Sequence, residues 1–204
     1  MITRIVKFTV PTEHIDAFKA SFAEAARGSL NEPGFEQARL FVTRADANTF
    51  YAYERLRDQE THASMPYTRQ LFDFLANSGT LVEQYNLGET VPAPVPLSRP
   101  ETRSDDELAV FFIFTLRPGY KDKVLAQFAD HTRQARKEPG NVVFDLYTIE
   151  GDDDTLIVYE RWKNEAALME EHFAQPYAQK TGALLTEAVP GDLTDAMHFS
   201  TEIC

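Results

Sequence analysis

The stretch Tyr159-Glu160-Arg161-Trp162 repeats Tyr53-Glu54-Arg55-Leu56 at a distance of 106 residues, with leucine in place of tryptophan. Glu138-Pro139-Gly140 repeats Glu32-Pro33-Gly34 at the same distance. Further along the chain, His172 with Pro176-Tyr177 repeats His62 with Pro66-Tyr67 at a distance of 110 residues, so the second copy carries four extra residues before its histidine. Collinear matches that are interrupted by one short insertion indicate an internal duplication.

Each copy has the pattern strand, helix, strand, strand, helix, strand. This order predicts a four-stranded antiparallel sheet with both helices on one face, which is the ferredoxin-like plan. Both faces of the strand predicted at 108–116 are apolar, so the face without helices needs cover, and the sister copy is the nearest candidate. We therefore predict an α+β fold in which two ferredoxin-like βαββαβ repeats form an intrachain pseudo-dimeric α/β barrel.

The boundary between the copies is marked by alternating prolines. Four of them stand at every second or fourth position between residues 92 and 100, and a polar run follows. Such a segment favours an extended polyproline II spacer. We assign residues 1–90 to the first repeat, 91–106 to a proline-rich linker and 107–204 to the second repeat.

Composition excludes several classes of protein. The formal net charge is -12, with 20 basic and 32 acidic residues, so neither nucleic acid nor an anionic membrane is expected as a partner. Cys204 is the only cysteine, which excludes an intrachain disulfide and suits the cytoplasm, the expected location. No apolar run approaches the roughly 18 residues of a membrane span.

Common catalytic and metal-binding motifs are absent. The sequence contains no phosphate-binding glycine loop, no Gly-x-Ser-x-Gly and no His-Glu-x-x-His. The five histidines are scattered without a paired-ligand spacing, so no metal site is predicted.

The duplicated polar residues remain as candidates for a site. Glu54 and Glu160 stand in otherwise apolar rows of their strands, where a carboxylate must be paired or must border a cavity. His62 and His172 follow on the next helix, and a histidine oriented by a carboxylate is a usable general base near neutral pH. Tyr67 and Tyr177 begin the following helix and are expected to point into the same cavity.

Structural explanations compete with these functional ones. Tyr-Glu-Arg on a strand is more often a structural polar network, and His-x-x-x-Pro-Tyr is about as often a pair of helix boundaries. Trp162 is more often a core residue than a platform for a ligand.

The same residues carry a family resemblance. The helix end Glu-Pro-Gly, the strand Tyr159 to Trp162, the run Glu165-Ala166-Ala167-Leu168 and His172 together resemble the antibiotic biosynthesis monooxygenase domain of the dimeric α/β barrel superfamily. The second copy matches well and the first more loosely. The resemblance implies oxygenase activity on phenols, quinols or polycyclic aromatics without a cofactor, in a pocket between the sheet and the helices. Haem-degrading relatives need an asparagine on the first strand, which neither copy has, so haem is disfavoured.

We expect a cofactor-independent monooxygenase in which His172, oriented by Glu160, removes a phenolic proton so that the anion reacts with dioxygen. The alternative is a non-catalytic protein that binds a small ligand or serves a stress or regulatory role. A homodimer of such chains is a further expectation. The predicted site residues fall into two groups. The catalytic group is His172, Glu160, Tyr177, His62 and Glu54, and the substrate-binding group is Trp162, Tyr67, Phe112 and Phe114.

Overall fold

A computed structural model describes residues 1–94 and 106–204. Most of the predicted linker, residues 95–105, lies outside the described residues. The described chain divides into two compact units, one formed by residues 1–87 with 201–204 and the other by residues 88–200. Within the described ranges, no helix is both long enough and apolar enough to cross a bilayer.

The first unit has the βαββαβ order that the repeat predicts. Its sheet is antiparallel with the strand order β4-β1-β3-β2. Beyond β2, the end of the chain extends this sheet, because Ile203 donates a 2.7 Å backbone hydrogen bond to Leu40 and Leu40 donates one of 2.7 Å to Cys204. The elements are β1 (Ile2–Thr9), α1 (Ile15–Ser29), β2 (Phe35–Thr43), β3 (Thr49–Leu56), α2 (Gln59–Ser64), α3 (Pro66–Asn77) and β4 (Leu81–Glu89).

The second unit repeats this plan with the strand order β8-β5-β7-β6, again antiparallel. Gly88, at the start of the second unit, lies beside β6, where the Thr148 hydroxyl donates to its carbonyl at 3.3 Å. The α+β class and the ferredoxin-like plan of both repeats are therefore confirmed. The elements are β5 (Leu108–Thr115), α4 (Lys121–Ala135), β6 (Asn141–Ile149), β7 (Asp152–Trp162), a π-helical segment (Ala167–His172), α5 (Pro176–Ala188) and β8 (Met197–Glu202).

Each unit buries its own aromatic core between the sheet and its helices. In the first unit, Phe18 and Phe22 of α1 pack against Phe8 of β1 and Phe50 of β3. The second unit has a larger cluster in the same place, which includes Phe112, Phe114, Phe128, Phe144 and Trp162. Apolar residues at three- and four-residue spacing on the helices and at alternate positions on the strands account for these faces.

The four extra residues of the second copy lengthen the helical connection between β7 and α5. Residues Ala167–His172 of this connection are π-helical, and the π-helical turn ends at His172. Gly140 allows the connection to pack closely on the turn after α4, because a Cβ on Gly140 would lie 2.5 Å from the Cβ of Ala167. This close approach brings the Glu-Pro-Gly turn next to His172.

Candidate functional site

A cavity of about 100 Å³ lies in the second unit between the sheet and helices α4 and α5. Most of its wall is apolar, with the aromatic rings of Phe112, Phe128 and Phe144 coming from three different elements. Four polar side chains also line it: His131, Glu160, His172 and Thr181.

His172 is held by a carboxylate from the Glu-Pro-Gly turn. Its Nδ1 lies 2.7 Å from Glu138 Oε1, and the Tyr177 hydroxyl donates to the same oxygen. We call Glu138, His172 and Tyr177 the clamp of the second unit, because they tie the turn after α4 to the start of α5. The first unit has the same clamp, in which Glu32 Oε1 lies 3.1 Å from His62 Nδ1 and accepts a 2.5 Å hydrogen bond from Tyr67.

The predicted pairing of Glu160 with His172 is wrong. Both ring nitrogens of His172 have other partners, since Nδ1 contacts Glu138 and Nε2 lies 3.1 Å from His131 Nε2. Glu160 instead accepts a 2.9 Å hydrogen bond from the indole N–H of Trp162. Glu160 and Trp162 are two residues apart on one strand and therefore share one face. The indole N–H thus lies next to the carboxylate, and the hydrogen bond forms within the strand.

The expected orientation of the two tyrosines is also wrong. Tyr67 and Tyr177 direct their hydroxyl groups to the clamp glutamates, Glu32 and Glu138. A phenolic hydroxyl has a single proton to donate, so this proton is engaged within the protein. Tyr177 is consequently not placed to donate to a ligand in the cavity.

The clamp glutamates were missed by sequence reasoning, although the sequence contains a signal for them. The motif Glu-Pro-Gly was interpreted as a helix terminator, and Pro-Gly alone suffices for that role. The glutamate at 32 and 138 adds nothing to a turn, yet both copies retain it together with the histidine and the tyrosine. A polar residue that a turn does not require, repeated in both copies, points to a side-chain contact.

Sequence reasoning also missed His131. It projects from α4, and its ring lies between those of Phe128 and Phe144, at centroid distances of 5.6 Å and 4.7 Å. Its Nδ1 lies 2.8 Å from the hydroxyl of Thr181. Burial lowers the pKa of His131 to about 3, and the neighbouring His172 acts in the same direction.

Glu160 is the acidic group of the cavity wall. Burial raises its pKa to about 7, the hydrogen bond from Trp162 opposes this shift, and the negative charge of Glu138 adds to it. Directly opposite Glu160 on the neighbouring strand β5 is Val110. The carboxyl group is thus poised to exchange a proton near neutral pH.

Glu54, the counterpart of Glu160, has a different environment in the first unit. Arg4 lies opposite it on β1, and its guanidinium forms a buried ion pair with the Glu54 carboxylate. The tryptophan is replaced by Leu56, and the position of His131 is taken by Ala25. Glu54 is therefore a paired structural carboxylate, whereas Glu160 is not compensated in this way.

Comparison with known proteins agrees with this duplicated plan. The family model "Antibiotic biosynthesis monooxygenase" matches residues 1–66 and again residues 108–184. The chain belongs to this family. The chain is thus a tandem antibiotic biosynthesis monooxygenase protein with one family domain in each repeat.

Solved structures share the fold of the whole tandem chain. A candidate monooxygenase of Fusobacterium nucleatum has a TM-score of 0.80 at 12% identity, covering 98% of this chain and 90% of that protein. A candidate monooxygenase of Lactobacillus acidophilus has a TM-score of 0.74 at 12% identity, covering 99% of this chain and 92% of the other. At this identity the likeness shows the fold alone.

Similarity to relatives by sequence is confined to parts of the chain. An uncharacterized protein of Synechocystis is 30% identical over 87 residues, 43% of this chain and 58% of that protein. The candidate monooxygenase YcnE of Bacillus subtilis is 30% identical over 53 residues, 26% of this chain and 56% of that protein. The matches therefore span little more than half the length of these curated relatives.

The other predicted site residues of the second unit line the cavity or lie in the core next to it. Phe112 lines the cavity, and Phe114 packs beside it with a centroid distance of 4.4 Å. Trp162 is fully buried behind the wall, where its ring lies 4.5 Å from that of His172. Among the described residues, no group of three or more His, Cys, Asp or Glu side chains is arranged to hold a metal ion.

Proposed function

We propose that the second repeat is the active one and that it binds a single-ring phenol or quinol and oxidises it with dioxygen, without a bound cofactor. The observation that carries the proposal is the Glu160 carboxyl group on the wall of an aromatic cavity. An aromatic cavity suits a flat apolar ligand, and a carboxylate within it suits removal of a phenolic proton.

Hydrogen-bond accounting favours Glu160 over His172 as the proton acceptor. A neutral imidazole has one acceptor nitrogen. With Nδ1–H donating to Glu138, the acceptor of His172 is Nε2, which faces His131. The acceptor of His131 faces Thr181 in turn. A carboxylate offers about four acceptor positions, and the hydrogen bond from Trp162 occupies one of them.

The proposed reaction balances without another oxidant. Glu160 takes the phenolic proton, and the electron-rich phenolate forms a C–O bond with dioxygen at a ring carbon that carries hydrogen. Glu160 returns the proton to the peroxide, and loss of the ring proton then breaks the O–O bond. One oxygen atom becomes a quinone carbonyl and the other leaves as water, so the substrate supplies all four electrons that reduce dioxygen.

The size of the cavity restricts the substrate to a single ring. An apolar cavity of about 150 Å³ binds benzene, whereas this cavity measures about 100 Å³. One ring therefore fits after a modest shift of the side chains at its edge, such as Leu193 and Met197. A fused polycyclic ligand would require larger movements of the core.

Names of structural neighbours support the class of reaction. A solved structure described as an anthrone oxidase-like protein matches this chain with a TM-score of 0.64 at 12% identity, covering 100% of this chain and 92% of the other. That description names the oxidation of an aromatic compound, which is the class of reaction proposed here.

The test is turnover of a panel of single-ring phenols and quinols, in air and under nitrogen, by the wild-type protein and by Glu160→Gln. We expect quinone formation that requires dioxygen and falls at least about 100-fold in the variant, as is common for loss of a general base. Equal rates in both proteins would overturn the assignment. Tight binding of the panel with no turnover would favour the non-catalytic alternative.

A further inference from the structure

Four side chains in the second unit form a continuous chain of hydrogen bonds, and three of them, His172, His131 and Thr181, line the cavity. Glu138 contacts Nδ1 of His172 at 2.7 Å, the two Nε2 atoms of His172 and His131 are 3.1 Å apart, and His131 Nδ1 is 2.8 Å from the Thr181 hydroxyl. The amide of Gln127 also donates to this hydroxyl, at 3.1 Å.

The chain is shielded from solvent along its length. His172 is 1% exposed, His131 is 5% exposed and Thr181 is 3% exposed. Glu138 and His172 belong to the clamp, which the first repeat also has. The first repeat has Ala25 and Leu71 at the positions of His131 and Thr181, so this extension of the clamp is specific to the second repeat.

We propose that Glu138, His172, His131 and Thr181 form a proton relay, in which His172 gains a proton only together with a tautomer change of His131 and a rotation of the Thr181 hydroxyl. In this relay His131 and Thr181 are positioning residues, because they determine where the proton of His172 is held. The relay exists independently of turnover, and only its use in catalysis rests on the proposed function.

In the neutral state, one arrangement of protons gives each contact between Glu138, His172, His131 and Thr181 one donor and one acceptor. The carboxylate of Glu138 requires a proton on His172 Nδ1, so His172 Nε2 is an acceptor. The second contact then requires a proton on His131 Nε2. His131 Nδ1 is consequently an acceptor, and the Thr181 hydroxyl donates to it.

Addition of one proton reverses the donors along the chain. With both ring nitrogens of His172 protonated, Nε2–H must donate to His131 Nε2, and the proton of His131 moves to Nδ1. Thr181 then accepts from His131 Nδ1 and turns its own proton to the carbonyl of Tyr177, which lies 3.0 Å from its oxygen. The geometry provides partners for both states.

The surroundings of His172 oppose its charged form. The titratable groups that face it are Glu138 and His131 from α4 and the turn after it, Glu160 from β7 and Tyr177 from α5. Burial lowers the pKa of His172, and Glu138 opposes that shift. Protonation of His172 also requires the rearrangement of His131 and Thr181. The neutral form of His172 is therefore favoured, and no cation on His172 lowers the pKa of Glu160.

The experiment is a pH titration of His172 by ¹⁵N-detected NMR in the ligand-free protein, with the resonances assigned by comparison with His172→Asn. In the wild-type protein we expect His172 to be protonated at Nδ1 and His131 at Nε2 in the neutral state. His131→Phe keeps the aromatic stack but removes the acceptor of the charged His172 Nε2–H, so His172 should gain its proton at a pH at least about one unit lower.

Thr181→Val should also lower the pH at which His172 gains its proton, because the charged state then leaves the His131 N–H without an acceptor. Thr181→Ser retains the hydroxyl and should titrate like the wild-type protein. A wild-type titration of His172 in Thr181→Val, or a neutral His172 protonated at Nε2, would overturn the relay. Because no substrate is present, failure of the proposed reaction would leave these outcomes unchanged.

Discussion

Arg4 forms a buried ion pair with Glu54 on the neighbouring strand of the first unit, and Val110 occupies the equivalent position beside Glu160 in the second. The residue at this position of the first strand thus differs between the repeats. Arginine pairs with the carboxylate of Glu54, whereas valine leaves Glu160 with a raised pKa. The retained clamp in both units indicates that duplication preserved a structural element, and that the site depends on residues in which the repeats differ.

Val110→Arg is expected to convert the second site into a copy of the first. A guanidinium beside Glu160 favours its charged form, so the pKa of Glu160 should fall and its capacity to take a proton near neutral pH should be lost. We expect quinone formation to drop at least about 10-fold, measured with the same phenol panel. Unchanged turnover in a folded Val110→Arg protein would contradict the role of Glu160.

Arg4→Val is the matched control for that variant. Removing Arg4 leaves Glu54 buried without its cation, which typically costs about 3–5 kcal/mol of unfolding free energy. Turnover per folded molecule should nevertheless stay at the wild-type value, because Arg4 lies in the first repeat. Denaturant unfolding and activity assays on the same samples test both statements.

Glu160 should make the stability of the protein depend on pH. Its pKa is about 7 in the folded state against an ordinary value of 4.5, so folding favours the protonated form. The stabilisation is complete below about pH 4.5 and is lost as the pH rises to about 7. Glu160→Gln should remove this loss, so the variant should gain roughly 3 kcal/mol over the wild type between pH 4.5 and 8. Urea unfolding at both pH values measures this difference, and parallel pH profiles would refute it.

His172 and His62 offer a matched pair for separating structural from catalytic roles. Each contacts its clamp glutamate, so asparagine at either position should cost about 1–3 kcal/mol of stability. Only His172→Asn alters the cavity wall, and only this variant should reduce turnover. If His62→Asn reduced turnover equally at the same folded fraction, both repeats would be active.

Gly182→Leu tests the cavity itself without changing a polar group. Gly182 lies within α5 on the cavity wall, and a Cβ at this position would meet no atom within 4 Å. Leucine should occupy the empty space and weaken binding of single-ring phenols about 10-fold or more, while its helix propensity adds up to about 1 kcal/mol of stability. Calorimetric binding and thermal unfolding check the two effects, with Gly182→Ala as the smaller control. Undiminished binding would place the ligand elsewhere.

The residue pattern predicted the elements of the fold well, because hydrophobic periodicity and turn residues act locally. Glu138-Pro139-Gly140 predicted the end of α4, and Pro176 predicted the start of α5. The order βαββαβ, which both copies have, then predicted the topology, because few arrangements of the four strands are compatible with it. The predicted homodimer of such chains stays a prediction.

The candidate site was predicted less completely. Glu160, His172 and Phe112 line the cavity, whereas the predicted partner of His172 was wrong and His131 was missed, and the catalytic roles stay predictions. Residues that the two copies share stand out in a duplicated sequence, and the residues of the clamp are of this kind. His131 and Thr181 differ between the copies, so duplication gave no signal for them.

The sequence by itself determined the repeated α+β plan, the family and the short list of acidic and histidine side chains, because these follow from local periodicity and from matches between the copies. Only the tertiary structure decided which carboxylate contacts His172 and which one lies on the cavity wall. The reason is physical: the partners of Glu138 and Glu160 depend on the close packing of Gly140 against Ala167 and on the direction of the Trp162 indole. Such contacts join residues on different elements or depend on a side-chain rotamer, and neither is encoded in spacing along the chain.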